Sequence, residues 1–253
     1  MLCKVRESKQ DDPMKNSAFA TALFLAAFCA MAQTNPAPAP EWKVLNDQAI
    51  ALYQKGDIDG AAQVGAKALE AASAVLGPEH LRVASMQNNL AAIYRLQKKY
   101  AEAEPLYLRA LATREKALGP DDRLVGLTLS NLAALHDAQD HFEQAEKLYV
   151  RALAIQDKAL GPDHVESTAI ANSLGELYLA QRRYEKAEPL LTRVYLAREK
   201  TLKPDDPDRK KTTKDLWTLY VSTGQYGLAD QYAQEGDVTP NEDQRRKLSI
   251  QME

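Results

Sequence analysis

The chain has 253 residues, of which 45% are hydrophobic and 26% charged, and its formal net charge is −3. Interspersed charges at that balance exclude the basic footprint of a nucleic-acid binder and the polybasic stretch of a membrane-surface protein. Ala and Leu dominate and only 11 glycines are present, a mixture that favours helix over sheet.

The first 32 residues read as a targeting segment outside the fold. MKNSAFATALFLAAFCAMAQ (Met14–Gln33) carries one Lys, then an uncharged run from Ala18 to Ala32 that ends in AMA. Small residues at Ala30 and Ala32 suit a secretory signal peptidase cutting before Gln33. The run of 15 residues falls short of the roughly 20 that a membrane-spanning helix needs. Phe28, directly before Cys29, argues against a lipoprotein signal. Asp11, Asp12 and Pro13 suit the start of a signal peptide poorly, which points to Met14 as the true start. A bacterial periplasmic or secreted location is expected, with no membrane attachment after cleavage. Both cysteines, Cys3 and Cys29, fall in the removed part, which leaves no disulfide or thiolate chemistry. Removal takes away four basic and three acidic residues, so −3 becomes −4. Residues 33–41 then read as a Pro/Ala-rich linker.

From Trp42 the chain repeats itself. LGPEH at Leu76–His80 returns as LGPDD at Leu118–Asp122, LGPDH at Leu160–His164 and a worn LKPDD at Leu202–Asp206, each 42 residues after the last. Units 76–117, 118–159 and 160–201 are full copies, 42–75 fits the register without the phrase, and 202–236 is a shortened last copy. Such self-similarity marks a repeat array.

Each unit holds two helical patterns at a 3.6-residue period. The first carries Leu90, Ala91 and Tyr94, then Leu132, Ala133 and His136, then Leu174, Gly175 and Tyr178. The second carries Tyr100, Ala103, Tyr107, Ala110 and Leu111, with matching sets from Phe142 and Tyr184. Small residues in each (Ala91 with Ala103, Ala133 with Ala145, Gly175 with Ala187) allow two antiparallel helices to approach closely. In the turn phrase, Gly119 and Gly161 are expected to end a helix in the left-handed conformation. Pro120 and Pro162 block continuation, and Asp121 or Asp163 is expected to cap the next helix.

End units depart from the pattern. The first places Gln48, Leu52 and Gly65 where Leu and Tyr stand elsewhere, so it is expected to be weaker. In the last, Trp217 takes the small-residue column opposite Ala229, which predicts a wedged or shifted pair. Pro105 and Pro189 are placed near the first turn of their helices, where a missing amide costs little. The tail 237–253, opening with a capping-box spacing from Thr239 to Glu242, is expected to be a capping helix.

Together the 42-residue step, NNLA, Y-x-EAEPLY-x-RAL and LGP-[DE]-H resemble tetratricopeptide repeats of the longer subtype named after kinesin light chains. The resemblance spans Trp42 to about Gly236. It implies an all-α, right-handed solenoid of about five antiparallel helix pairs with a C-terminal capping helix. The surplus over the ordinary repeat of about 34 residues should lengthen the helices beside the LGP turn. It concerns repeat architecture and does not imply kinesin transport.

No catalytic constellation stands out. His80 and His164 share a turn column two repeats apart and cannot hold one ion, so turn capping or exposure explains them. His136 is expected in the core and His141 at an exposed turn. No Ser–His–Asp arrangement, phosphate loop or metal-ligand spacing is present, so no enzyme, cofactor or metal site is expected. The resemblance places the first helices on a concave inner surface where asparagines hold an extended peptide. An Asn amide both donates and accepts, which matches a peptide unit. The candidate groove residues are Asn88, Asn89, Ser130, Asn131, Asn172 and Ser173, flanked by Arg95 and Glu176. The expected function is a protein-interaction scaffold that binds a protein or peptide, with a self-oligomerising envelope module as the alternative. A basic run (Arg182, Arg183, Lys186, then Arg209, Lys210, Lys211 and Lys214) could receive an acidic partner, but nearby acids favour a solvated face.

Overall fold

The computed structural model describes residues 40–233. The expected signal peptide (1–32), the start at Met14, the linker up to residue 39, residues 234–236 of the array and the capping helix lie outside the described residues. Every helix below belongs to the second of the chain's two units, Glu41–Glu253.

The described residues are all-helical, without a strand. Five antiparallel pairs follow one another: α1 (Glu41–Gln54) with α2 (Ile58–Leu76), α3 (Leu81–Leu96) with α4 (Tyr100–Leu118), and α5 (Arg123–Asp137) with α6 (Phe142–Leu160). Next come α7 (Val165–Ala180) with α8 (Tyr184–Thr201) and α9 (Pro207–Ser222) with α10 (Tyr226–Ala233). Each second helix also packs on the first helix of the next pair. In addition α3 touches α5, α5 touches α7 and α7 touches α9, whereas second helices form no comparable row. The first helices therefore line the inner face. Among the described residues no helix is long and apolar enough to cross a membrane.

The turn phrase acts through glycine and through its fifth residue. Gly77, Gly119 and Gly161 cap α2, α4 and α6 with φ of 88°, 90° and 90° and ψ of 149°, 160° and 157°. That is the glycine-only region, beyond the left-handed helical well expected from sequence. Lys203 cannot adopt it cheaply, and α8 accordingly stops at Thr201 with Leu202 extended. Capping of the next helix is not the work of Asp121 or Asp163, as expected, but of the residue after each. The side chains of Asp122, Asp206, His80 and His164 accept the N–H two residues on, at 2.7, 2.9, 3.0 and 3.2 Å. Asp121 and Asp163 instead accept from Lys158 and Lys200 at 2.8 and 3.3 Å. Pro105 and Pro189 occupy the sixth residue of α4 and α8, the second turn, not the first. Both are exposed, as are Ala101 and Glu185, whose carbonyls lose a donor to the missing proline N–H.

Small columns hold each pair together. Ala61, Ala103, Ala145, Ala187 and Ala229 are all fully buried. A Cβ on Gly175 would lie 2.9 Å from Leu191 Cδ2, so any larger residue there requires Leu191 to shift. One repeat on, Trp217 is buried in the glycine's column, while the column of Leu191 holds Ala233. The two columns thus exchange a small and a large residue between the fourth and last pairs.

A buried polar column locks successive pairs. Arg114 on α4 donates to the Leu124 carbonyl (3.0 Å) and Thr128 Oγ1 (2.6 Å) on α5, and to Ser85 Oγ (3.1 Å) on α3. Its equivalents are Gln156, which donates to Glu166 at 3.1 Å, and Arg198, which donates to the Asp208 carbonyl at 2.9 Å and to Thr212. Burial lowers the Arg114 pKa, with Asp122 opposing. A second ladder runs from α6 and α8 to the next first helix. Glu146 accepts from the Tyr178 hydroxyl at 2.9 Å and Glu188 from the Tyr220 hydroxyl at 3.1 Å.

Candidate functional site: the inner face of the first helices

Helical period brings the expected groove residues to the first helices, but the neighbouring repeat decides which of them remain open. Asn88 is buried at 4% exposure. Its Nδ2 donates to Asn89 Oδ1 at 3.4 Å, and its Oδ1 accepts from Asn131 Nδ2 at 3.1 Å. Asn172 donates to Glu176 and accepts from Arg198 Nη1 at 3.2 Å. The Ser173 hydroxyl donates to the Ala169 carbonyl of its own helix at 3.2 Å. Ser130 is half-buried, and Asn89 is exposed.

Charge along this face changes sign with the repeats. Arg95, near the end of α3, lies close to the Tyr107 and Tyr149 hydroxyls. Burial pushes Tyr107 up to about 12 against the pull of Arg95, and burial likewise raises Tyr149. Beyond it lie Asp137 on α5, Glu176 on α7 and Asp215 on α9. Burial raises Asp137, reinforced by Asp140 and Glu176. Burial raises Asp215 too, opposed by Lys211. Lys211 pairs with Glu176 and stands 3.6 Å from Asp215.

The row of first helices is least closely joined at its N-terminal end. α1 makes no contact with α3 of the extent seen further along, and a cavity of about 450 Å³ lies there. Ala49, Ile50 and Tyr53 of α1 face Met86, Ala92 and Ile93 of α3 across it, with Gly65 of α2 and the amides of Asn46 and Asn89. A second hollow of about 340 Å³ continues it past Asn46, Met86 and Asn89 to Trp42 and Ser85. Sequence reasoning treated this unit only as a weak end. The signal is Gly65, in a column that holds Tyr107, Tyr149 and Leu191 in the three full repeats and Ala233 in the shortened last one.

Among the described residues no group of three or more His, Cys, Asp or Glu is placed to hold a metal. His80 and His164 are helix caps, in line with the turn reading. His136 is half-buried, with burial lowering its pKa, Glu104 opposing and His141 reinforcing. The basic run is largely neutralised: Arg183 and Lys186 pair with Glu146, Lys211 with Glu176, and Arg209 stands 3.8 Å from Glu199.

Known structures share this architecture. Nearly identical TPR-like repeats of the kinesin light chain type from Podosopora anserina superpose with a TM-score of 0.65 at 22% identity, covering 85% of this chain and 97% of that one. BtubC (BKLC) from P. vanneervenii gives 0.67 at 18% identity, covering 96% and 93%. The pilF protein of Pseudomonas aeruginosa gives 0.60 at 17%, covering 83% and 84%. A comparison with curated proteins gives no match. Tetratricopeptide repeats are matched over residues 43–116, 82–158, 142–195 and 165–236. The chain therefore belongs to the tetratricopeptide repeat family, with repeats like those of kinesin light chains.

Proposed function

We propose that the chain is a non-catalytic scaffold that holds a segment of a partner protein along the inner face of its first helices. The observation that carries this reading is the open seam between α1 and α3, an apolar hollow with two asparagine amides at its edge. A preformed hollow asks little ordering of the protein, so binding energy is not spent on shaping the site. Asn89 is the leading candidate for backbone contact, because its side chain is exposed. Asn131, Ser130 and Ser173 follow, then Arg95 and Glu176 as flanking charges. Asn88 and Asn172 act through their neighbours, holding Asn131 and Glu176 in place. Site-specific photo-cross-linking tests the reading. A photoreactive residue at Ile50 or Asn89 should capture a partner, and one at Leu108 or Val150, exposed on the second helices, should not. Capture from the second helices alone would overturn it.

We further propose a periplasmic or secreted location, supported by the apolar run Ala18–Ala32 and its small-residue ending. Terminal sequencing of the protein recovered from each cell fraction tests this. A chain beginning at Gln33 outside the cytoplasm supports it, and a cytoplasmic chain retaining Cys29 refutes it.

A further inference from the structure

Gly65 stands where the three full repeats place a bulky side chain, and unlike Ala233 in the last repeat it has no Trp217 in the partner column to fill the space. Tyr107 belongs to the core cluster that joins α3 to α5, and Tyr149 to the one that joins α5 to α7. Both rings, and Leu191 after them, are at most 2% exposed. At the corresponding place between α1 and α3 there is a glycine and a cavity. No close approach requires that glycine. A Cβ would meet Leu90 Cδ1 at 3.4 Å and Ala49 Cβ at 3.8 Å, both ordinary contacts. Nor does the backbone require it, because Gly65 lies inside α2, where glycine weakens a helix. The residue gives up packing and helix stability, and the volume it leaves stays open to solvent.

We propose that this cavity receives an aromatic side chain from a partner segment, and that a basic residue of the same segment reaches Asp137 and Glu176 two repeats away. The inference rests on the groove reading above and names the chemistry of its ligand. The incoming ring takes in trans the place that the column tyrosine takes within the chain elsewhere. The lining suits it: Ile50 and Tyr53 are 42% and 46% exposed, flanking an apolar floor. The rim amides of Asn46 and Asn89 are of the type that pairs with a peptide backbone.

Charge complementarity specifies the other end. Asp137 has no ion-pair partner among the described residues, and Glu176 shares its one cation, Lys211, with Asp215. A lysine or arginine from the ligand would compensate this carboxylate pair. Repeats spaced roughly 10 Å apart put the two points about 20 Å from each other. An extended chain crosses that in about six residues.

Methyl NMR of the full chain tests both points. The probes are indole and a capped peptide in which a serine spacer sets tryptophan about six residues before arginine. Indole should shift the Met86, Ile50 and Ile93 methyls saturably. The peptide should bind at least several-fold tighter than indole. Gly65→Leu, which installs the residue found at 191, should weaken both probes tenfold or more without lowering the melting temperature. If that variant fails to fold, Ile50→Glu on the exposed lining should do the same. Asp137→Asn should weaken the peptide several-fold and leave indole unchanged. Indole shifts that persist in Gly65→Leu, or contacts from residues 33–39 to the Met86 methyl in the free protein, would overturn the aromatic site. A peptide indifferent to Asp137→Asn would overturn the basic end. Failure of indole alongside successful cross-linking from Asn89 would remove this inference and leave the groove reading standing.

Discussion

Asn131 donates its side-chain amide to Asn88 across the boundary between two repeats, at 3.1 Å. Two residues that the sequence offers as ligand contacts thus hold each other, and one of them is almost wholly buried. Asn88→Ala should cost about 1–3 kcal/mol, because it empties a buried position and leaves the half-buried Asn131 amide without its acceptor. Asn89→Ala, which removes an exposed side chain whose one bond to Asn88 is long at 3.4 Å, should leave stability within about 0.5 kcal/mol of the parent. Urea denaturation of the two variants separates these outcomes, and equal losses would refute the assignment.

Gly119 has φ 90° and ψ 160°, where a Cβ is strained whatever space surrounds it. Gly119→Ala should destabilise by about 1–3 kcal/mol. The worn phrase offers the converse: Lys203→Gly should let α8 run one residue further and raise the melting temperature. Differential scanning calorimetry reads both.

Leu132 is 2% exposed and lies in the cluster with Leu90, Ala103 and Tyr107. Leu132→Ala should cost about 2–5 kcal/mol. Because neighbouring repeats share that cluster, faster hydrogen exchange should appear in α3 and α4 as well as α5. Loss confined to α5 would contradict the shared core.

Glu146 is held down to about 2, chiefly by the hydrogen bond from Arg183, with Tyr178 and Lys186 adding to it against burial. A carboxylate depressed on folding stabilises above its unfolded value near 4.5 and loses that contribution as pH falls toward 2. Stability of the parent should therefore decline between those limits, and Glu146→Gln should flatten that part of the curve. An unchanged acid limb in the variant would show that the cluster is not the cause.

His136 occupies a column that holds Tyr94, Tyr178 and Tyr220 elsewhere. Burial lowers its pKa from 6.5, with His141 assisting and Glu104 opposing. The proton then prefers the unfolded chain, so stability falls as pH drops below about 6.5. His136→Tyr should abolish that slope and bring a hydroxyl toward Glu104, as Tyr178 does toward Glu146. Thermal melts at pH 7.5 and 5.5 check this.

Period and phrase made the helix pairs legible, because a 42-residue step and a 3.6-residue stripe are both written in side-chain type. Contacts between repeats were less so. Asp121 and Asp122 are equally good caps by chemistry, and only the chain path after Gly119 decides that the second one serves. Asn88 and Asn89 likewise differ by one helical step, about 100° of rotation, and the packing of α5 decides which is covered. Gly65 could have been read as a vacancy from the column alone. It required the tyrosines of other repeats to be understood as seam fillers.

The exchange of Gly175 and Leu191 for Trp217 and Ala233 has a consequence for engineering. Moving α7 or α9 alone into the other's hairpin would set indole against leucine, or leave glycine facing alanine across a void. Whole hairpins are therefore the smallest modules that can be shuffled at this end, and a chimera cut between the two helices of a pair should fail where one cut at the preceding loop succeeds.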